Sequence, residues 1–383
     1  MIERDIRLGT IAGIEVGLNW SLLVVFWLIT WSLASSVFPE LYPGQGTTAY
    51  WITAVIAAVV FFGSLLAHEL GHALLARRKG VTVDGITLWL FGGVARLRGE
   101  TMDPSAELRI TAIGPGISLV AAAAFGLVAL GLNALGAPEL VVGVPAWLGI
   151  INASLAVFNL LPAFPLDGGR VLRAWLWRRR DDRISATRTA AAVGRVFGYG
   201  LIGLGLLEFA LVASIGGLWF VFLGWFLLGA ARAEESQTLL RAALRDVRVH
   251  HIMSPDPVAV PATLSVRSFV EDHAMTQRFT SFPVDDEAGR TVGLVTLGRV
   301  KAVPPDRRDR TTVGDIACPL EEVATVSPDD PATTLLERLQ ECEDGRALVL
   351  EGGRVVGIVS PRDVHRALEL AGLRAGTVRL PGG

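Results

Sequence analysis

The segment Ala67-His68-Glu69-Leu70-Gly71-His72 contains the side chains best suited to chemistry. If it is helical, His68 and His72 lie on one face, about 6 Å apart along the axis, so both imidazoles can bind one zinc ion. Glu69 lies beside them, where its carboxylate can act as a general base toward water. Ionisable groups are costly in an apolar segment, which favours a functional site over two histidines that merely hydrogen-bond.

A catalytic zinc ion needs a third protein ligand, and Asp167 is the candidate. It follows a largely apolar segment, 158–166, whose two prolines interrupt a helix and can turn the carboxylate back toward the histidines. The same segment contains Asn159, a polar side chain at the end of an apolar run. Two simpler interpretations stay open. Asp167 could cap a helix at the membrane interface, and Asn159 could only hydrogen-bond between helices.

The composition indicates that these residues are positioned by elements of a membrane protein. Of the 383 residues, 51% are apolar and only 19% are charged, and the mean hydropathy is +0.48. The long apolar runs end near residue 233, beyond which charged residues become frequent. A net charge of −2 does not suggest a nucleic-acid partner. The two cysteines, Cys318 and Cys342, lie in the polar part and do not indicate a disulfide framework.

Six segments are long and apolar enough to span a bilayer, which takes about 20 residues. They are 18–37, 50–76, 108–132, 144–161, 196–213 and 215–231. The connections 38–49 and 133–143 and the turn at Ser214 contain no Lys or Arg, whereas every alternate connection is basic. We therefore expect residues 1–235 to form a six-span domain in a cell membrane, with both termini in the cytoplasm.

Between the second and third spans, segment 83–97 (VDGITLWLFGGVARL) is apolar but too short to cross a bilayer. Its Thr, Val and aromatic residues around Gly92-Gly93 favour extended structure. Backbone at membrane depth must be hydrogen-bonded within the protein, so we predict a short re-entrant β segment. The alternative is a cytosolic loop that lies on the lipid headgroups.

The pairing of HELGH in one span with NLLPAFPLDGG in a later one resembles the site-2 protease family of intramembrane metalloproteases. The segment FGGVARL and Gly114-Pro115-Gly116 are also similar to that family. The resemblance covers about residues 1–235, and the C-terminal regulatory domain that follows is typical of its bacterial branch.

This resemblance implies one zinc ion held by His68, His72 and Asp167, with Glu69 as the general base. It implies that Asn159 contacts the substrate or the reacting carbonyl. It also implies hydrolysis of peptide bonds in membrane-spanning protein substrates, as in regulated intramembrane proteolysis.

The polar part contains an internal repeat with an offset of 64 residues. Val292-Gly293-Leu294-Val295-Thr296 matches Val356-Gly357-Ile358-Val359-Ser360. Each copy has the pattern strand, helix, strand, strand, helix, which resembles a tandem pair of cystathionine-β-synthase (CBS) domains. We expect a cytosolic α/β regulatory domain over 246–371, with repeats at about 246–303 and 311–370.

CBS pairs bind adenine nucleotides, with a ribose-binding aspartate after the last strand of a repeat. The second copy supplies Ser360 and Asp363, whereas the first has Arg299 at the position of the aspartate. The resemblance therefore implies at most one conventional nucleotide site, and a homodimer formed through the CBS pair. The alternative is a dimerising module without a ligand.

A CBS-gated membrane transporter is the competing function. Six spans, a cytosolic regulator and an intramembrane acid such as Glu208 would fit it. It does not account for HExxH paired with an aspartate, and the first three spans show no evident similarity to the last three. A protein that binds clients without cutting them would have lost a ligand or the base, and the sequence retains all four residues.

Overall fold

The computed structural model describes residues 6–89, 92–98, 103–212, 215–244, 247–277, 279–339 and 345–367. The chain forms two compact units, Met1–Ser236 and Gln237–Gly383. The turn at Ser214, Cys342 and the expected C-terminal limits of the CBS pair at 370 and 371 lie outside the described residues.

The first unit is built around helices, and six of those in the described ranges are long and apolar enough to cross a membrane. This confirms the six predicted spans. The first span comprises α1 (Ser21–Ser32), a π-helical turn (Leu33–Val37) and α2 (Phe38–Leu41), and it is followed by α3 (Thr47–Arg78), α4 (Pro104–Ala134), α5 (Glu139–Asn159), the short α6 (Asp167–Arg180), α7 (Arg183–Val212) and α8 (Ile215–Leu244).

Helix α6 is too short to span and was not expected, because its arginines placed it in a basic connection. It is amphipathic. Arg173, Ala174 and Leu176 are buried, whereas the three arginines that end it are exposed. Those arginines lie in the last turn, where cations stabilise the negative end of the helix dipole. The helix therefore forms because one face can be buried, although its composition is polar.

A four-stranded sheet with order β1-β2-β3-β4 completes the first unit. Its strands are β1 (Ile6–Ile11), β2 (Ile14–Leu18), β3 (Thr82–Trp89) and β4 (Gly92–Arg98). Strands β3 and β4 form an antiparallel hairpin, so the extended structure expected for 83–97 is present in its described part; Leu90 and Phe91 lie outside it. The two N-terminal strands were not expected. The depth of the hairpin in the bilayer stays a prediction.

The sheet packs against the helix that carries the HELGH segment. Ile14, Ile86 and Leu88 form a buried cluster with Leu22 of α1 and Ala73 of α3. Strand β2 runs parallel to β3, with Val16 opposite Ile86. Since Ala73 follows His72 directly, this cluster anchors α3 at the level of its histidines.

The second unit contains two four-stranded sheets with orders β6-β7-β8-β9 and β10-β11-β12-β5. Their strands are β5 (Ser254–Pro255), β6 (Val260–Pro261), β7 (Ser281–Asp285), β8 (Thr291–Thr296), β9 (Cys318–Pro319), β10 (Ala324–Val326), β11 (Ala347–Glu351) and β12 (Arg354–Val359). The first strand of each repeat thus completes the sheet of the other repeat. The expected α/β CBS fold is confirmed, and the exchange makes the two repeats one folding unit.

Candidate metal centre

Helix α3 presents His68 and His72 on one face, as their spacing predicts. Their Nε2 atoms are 3.2 Å apart. Oδ2 of Asp167 lies 3.2 Å from Nε2 of His68 and 3.1 Å from Nε2 of His72. Within the described ranges this is the one group of His, Cys, Asp and Glu side chains placed to hold a metal ion, and all three residues are buried.

The triangle of these three atoms has the size of one face of a zinc tetrahedron. Zinc bonds to nitrogen and oxygen of about 2.0 Å place neighbouring ligands about 3.3 Å apart in tetrahedral geometry. The three observed separations are 3.1–3.2 Å. One zinc ion therefore fits these residues with only a small adjustment of the side chains.

The hydrogen bonds around His72 determine where its lone pair lies. Its Nδ1 is 2.6 Å from the carbonyl oxygen of Ile110 on α4. A carbonyl can only accept, so Nδ1 carries the hydrogen and Nε2 of the neutral ring has the free lone pair. That lone pair faces a carboxylate oxygen, an arrangement that requires a cation or a proton between them. On the other ring, Nδ1 of His68 is 2.9 Å from Oγ of Ser118, which fixes the orientation of this imidazole.

Asp167 reaches the histidines because it begins a helix directly after the proline-rich loop. It is the first residue of α6, and its side chain contacts His68 and His72, which does not favour the simpler interpretation as a helix cap. Burial would raise the pKa of its carboxyl group, but hydrogen bonds with His68 and His72 lower this pKa to about 2. The group is therefore ionised at neutral pH, which is the form that binds metals.

Glycine allows α4 to approach the two imidazoles. A β carbon on Gly114 would overlap Nε2 of His72 and would lie 2.6 Å from Nε2 of His68. Close packing against the candidate metal site thus explains why residue 114 is a glycine.

Glu69 lies at the edge of the sheet. Its carboxylate accepts a hydrogen bond from the backbone N–H of Gly93 on β4, and a β carbon on Gly93 would overlap the Glu69 side chain. Strand β4 therefore contacts and orients the acid that adjoins the histidines. The glycine pair is evident in the sequence, but nothing in the sequence indicates its contact with Glu69.

Comparison with known proteins identifies the family. The model of peptidase family M50 matches residues 56–143 and 136–201. The chain is 45% identical over 366 residues to the candidate zinc metalloprotease Rip3 of Mycobacterium tuberculosis, which covers 95% of this chain and 93% of the relative. The chain belongs to the site-2 protease family. It is also 28% identical to a zinc metalloprotease of Methanocaldococcus jannaschii, over 97% of this chain and 98% of the relative.

A solved site-2 protease from the same archaeon is 28% identical and covers 61% of this chain and 95% of that chain, with a TM-score of 0.40. The CBS domain model matches residues 249–304 and 313–370, one match for each expected repeat. From its family, its relatives and the CBS matches, the present chain is a multi-pass zinc metalloprotease with a tandem CBS domain, and its substrates are membrane proteins.

Asn159 lies at the start of the proline-rich loop that leads to Asp167. It is the last residue of α5 and is half-buried. Its side chain makes no hydrogen bond to another described residue, so the alternative of a bond between helices has no support here. In this site-2 protease the amide is available to a further group.

The two expected nucleotide-site residues contact each other in the CBS domain. Oδ2 of Asp363 accepts hydrogen bonds from the backbone N–H and Oγ of Ser360, at 2.8 and 2.6 Å. Its Oδ1 is 3.3 Å from Oγ of Ser254 on β5. Asp363 therefore caps the helical turn that follows β12, and its role toward a nucleotide stays a prediction.

Proposed function

We propose that this site-2 protease binds one zinc ion through His68, His72 and Asp167 and uses Glu69 as its general base. The observation that supports this most is the triangle of Nε2, Nε2 and Oδ2 atoms with sides of 3.1–3.2 Å. When bound, zinc supplies Lewis acidity, which makes water a nucleophile near neutral pH and polarises a carbonyl oxygen.

The position of Glu69 supports its proposed role in proton transfer. It adjoins His68 in the chain, and the N–H of Gly93 holds its carboxylate. In the proposed reaction this carboxylate takes the proton of the attacking water and delivers it to the leaving amine. Asn159 is proposed to contact the substrate, or to donate its amide hydrogen to the oxygen of the reacting carbonyl.

Strand β4 is proposed to hold the substrate in an extended conformation. It is the terminal strand of the sheet and, among the described residues, pairs with β3 alone. A peptide added to its open edge would gain main-chain hydrogen bonds and would lie beside Gly93, the residue that contacts Glu69. A substrate helix must unwind before hydrolysis, and an edge strand would stabilise the unwound form.

The orientation and the regulation also belong to the proposal. The alternation of basic and uncharged connections supports termini in the cytoplasm. The CBS pair is proposed to form a homodimer, to modulate cleavage and to bind an adenine nucleotide near Ser360 and Asp363. The transporter alternative is less well supported, since it does not account for membership of a protease family.

The direct test is comparative membrane proteomics of cells with the wild-type protein and with Glu69→Gln. We expect membrane-spanning proteins that persist in the variant and are cut in the wild type. Cleavage of each must also occur with purified wild-type enzyme in lipid, and must stop with a chelator and return with zinc. If purified wild-type enzyme cleaves none of them, or if cleavage is insensitive to chelation, the proposal is wrong.

A further inference from the structure

Arg173 occupies the buried face of α6, six residues after Asp167. Its Nε donates a hydrogen bond to Oε1 of Glu107 at 2.8 Å, and Nη2 donates to the same oxygen. Its Nη1 donates to Oε1 of Glu234. The side chains of Arg173 and Glu107 are only 5% and 3% exposed. One guanidinium thus joins three helices, since Glu107 belongs to α4 and Glu234 to α8.

Two of these three helices, α6 and α4, position the candidate metal ligands. Helix α6 begins with Asp167, and α4 provides the carbonyl of Ile110 and the hydroxyl of Ser118 that orient the two imidazoles. The Arg173–Glu107 contact therefore connects the helix of one ligand to the helix that orients the other two. Oε2 of Glu107 has no hydrogen-bond partner among the described residues, so the negative charge of Glu107 is balanced by Arg173 at Oε1.

The beginning of α6 is held by close packing with the preceding loop. A β carbon on Gly168 would overlap the carbonyl oxygens of Leu160 and Leu161, and one on Gly169 would lie 2.7 Å from the backbone of Ala163 and Phe164. Arg173 also covers the ring of Phe164, with 5.4 Å from its guanidinium carbon to the ring centre. The loop and the helix thus form one rigid element that Arg173 fastens to α4 and α8.

We propose that Arg173 is a positioning residue for zinc binding: by fastening α6 to α4 and α8, it holds Oδ2 of Asp167 between the two imidazoles. The proposal rests on the zinc site proposed above. Sites of this kind tolerate displacements of only about 0.5 Å. Without the guanidinium, the uncompensated carboxylate of Glu107 must find water or a proton. Helix α6 then shifts, and the Asp167 ligand is weakened while both histidines remain.

The test uses the full-length protein in detergent and two measurements. One is the rate at which zinc passes to an excess of chelator, and the other is the visible absorption of the cobalt-substituted protein, which is strong for tetrahedral and weak for six-coordinate cobalt. Arg173→Met is expected to lose zinc about tenfold faster, as do proteins that lack a group supporting a metal ligand. It is also expected to show weaker cobalt absorption, and Arg173→Lys should recover part of both.

A matched control is available in the same unit. Arg195 on α7 donates a hydrogen bond at 2.5 Å to Glu235, the neighbour of Glu234 on α8. Arg195→Met removes an arginine–glutamate contact to α8 without changing α6, and it should keep the wild-type zinc release rate and cobalt spectrum. An equal effect in both variants would show a general loss of packing and would overturn the positioning role.

The outcomes separate this inference from the proposed zinc site. If the wild type binds no zinc, or if Asp167→Ala keeps it, the zinc site itself is wrong. If Asp167→Ala loses zinc but Arg173→Met keeps the wild-type release rate and spectrum, the role of Arg173 is overturned. If Arg173→Met does not accumulate as folded protein, Arg173→Gln decides, because its neutral amide provides no cation between the two glutamates; a wild-type rate and spectrum in that variant would overturn the role.

Discussion

At the scale of single residues, Gly114 shows how closely the helices around the metal site are packed. A β carbon there would overlap an imidazole nitrogen, so we predict that Gly114→Ala displaces a histidine and weakens zinc binding about tenfold or more. Alanine favours a helix over glycine by about 1 kcal/mol, so a loss of zinc affinity in this variant cannot be attributed to a less stable helix. Zinc content after dialysis against a graded series of chelator concentrations measures the effect.

Gly116→Ala is the matched control, because a β carbon at Gly116 meets no atom within 4 Å. It lies on the same helix, two residues further on, and should keep the zinc affinity of the wild type. Wild-type affinity in Gly114→Ala would contradict the placement of α4 against the histidines.

A second prediction at this scale separates zinc binding from catalysis. Glu69→Gln keeps the size of the side chain and should retain about one zinc per chain, while peptide cleavage falls by about 10²–10⁴-fold, as expected for loss of a general base. His72→Ala and Asp167→Ala should lose both zinc and cleavage. Metal analysis and a cleavage assay on the same preparations test this, and substantial proteolysis by Glu69→Gln would exclude its role as base.

The sequence identified the residues whose types and spacing carry chemical meaning. His68, Glu69 and His72 form a local pattern on one helix, and Asp167 stands out as an acid after an apolar run. The groups that orient them have no such signature. The partner of His72 is the backbone carbonyl of Ile110, which any residue could provide. Arg173 contributed to the sequence analysis only as one of the basic residues between two spans.

At the scale of elements, the spans are the most predictable feature, because length and apolarity suffice to define them. The strands β1 and β2 were missed for a physical reason. They are short, and β2 gains its partner β3 from residues that lie 70 positions later, with Val16 opposite Ile86. Helix α6 was missed because an arginine usually indicates an exposed position, whereas Arg173 is buried between two carboxylates.

The orientation of the spans gives an element-scale prediction. Reporter fusions after Pro43 and Ala137 should be extracytoplasmic, whereas fusions after Lys79, Arg180 and Arg248 should be cytoplasmic, because basic residues are retained on the cytoplasmic side. Paired alkaline phosphatase and fluorescent protein fusions give opposite signals at each site. An extracytoplasmic signal after Arg180 would contradict the model of six spans with the termini inside.

At the scale of the whole molecule, the regulatory proposal is tested by removing the CBS domain. Deletion of 246–371 is expected to change the cleavage rate, and an unchanged rate with purified enzyme would remove the regulatory proposal.

The last prediction concerns the ligand of the CBS pair. Because of the strand exchange, Ser254 of the first repeat lies beside Asp363 of the second. If this site binds an adenine nucleotide, Asp363→Ala should weaken binding to the full-length protein by about tenfold or more, since the carboxylate would lose charge-assisted hydrogen bonds to the ribose. Arg299→Ala, at the corresponding position of the first repeat, should leave the affinity unchanged. Isothermal titration with ATP, ADP and AMP measures both.

Loss of a helix cap must be separated from loss of a ligand contact, because Asp363 also caps a helical turn through Ser360. Removing such a cap costs about 1 kcal/mol of stability. Asp315 forms the same reciprocal arrangement with Thr312 at the start of the helix Val313–Ile316, so Asp315→Ala provides the matched loss of a cap. It should destabilise the CBS domain to a similar extent and still bind nucleotide. Equal loss of affinity in both variants would assign the effect to folding, and absence of heat with all three nucleotides at millimolar concentration would leave the CBS pair as a dimerising module.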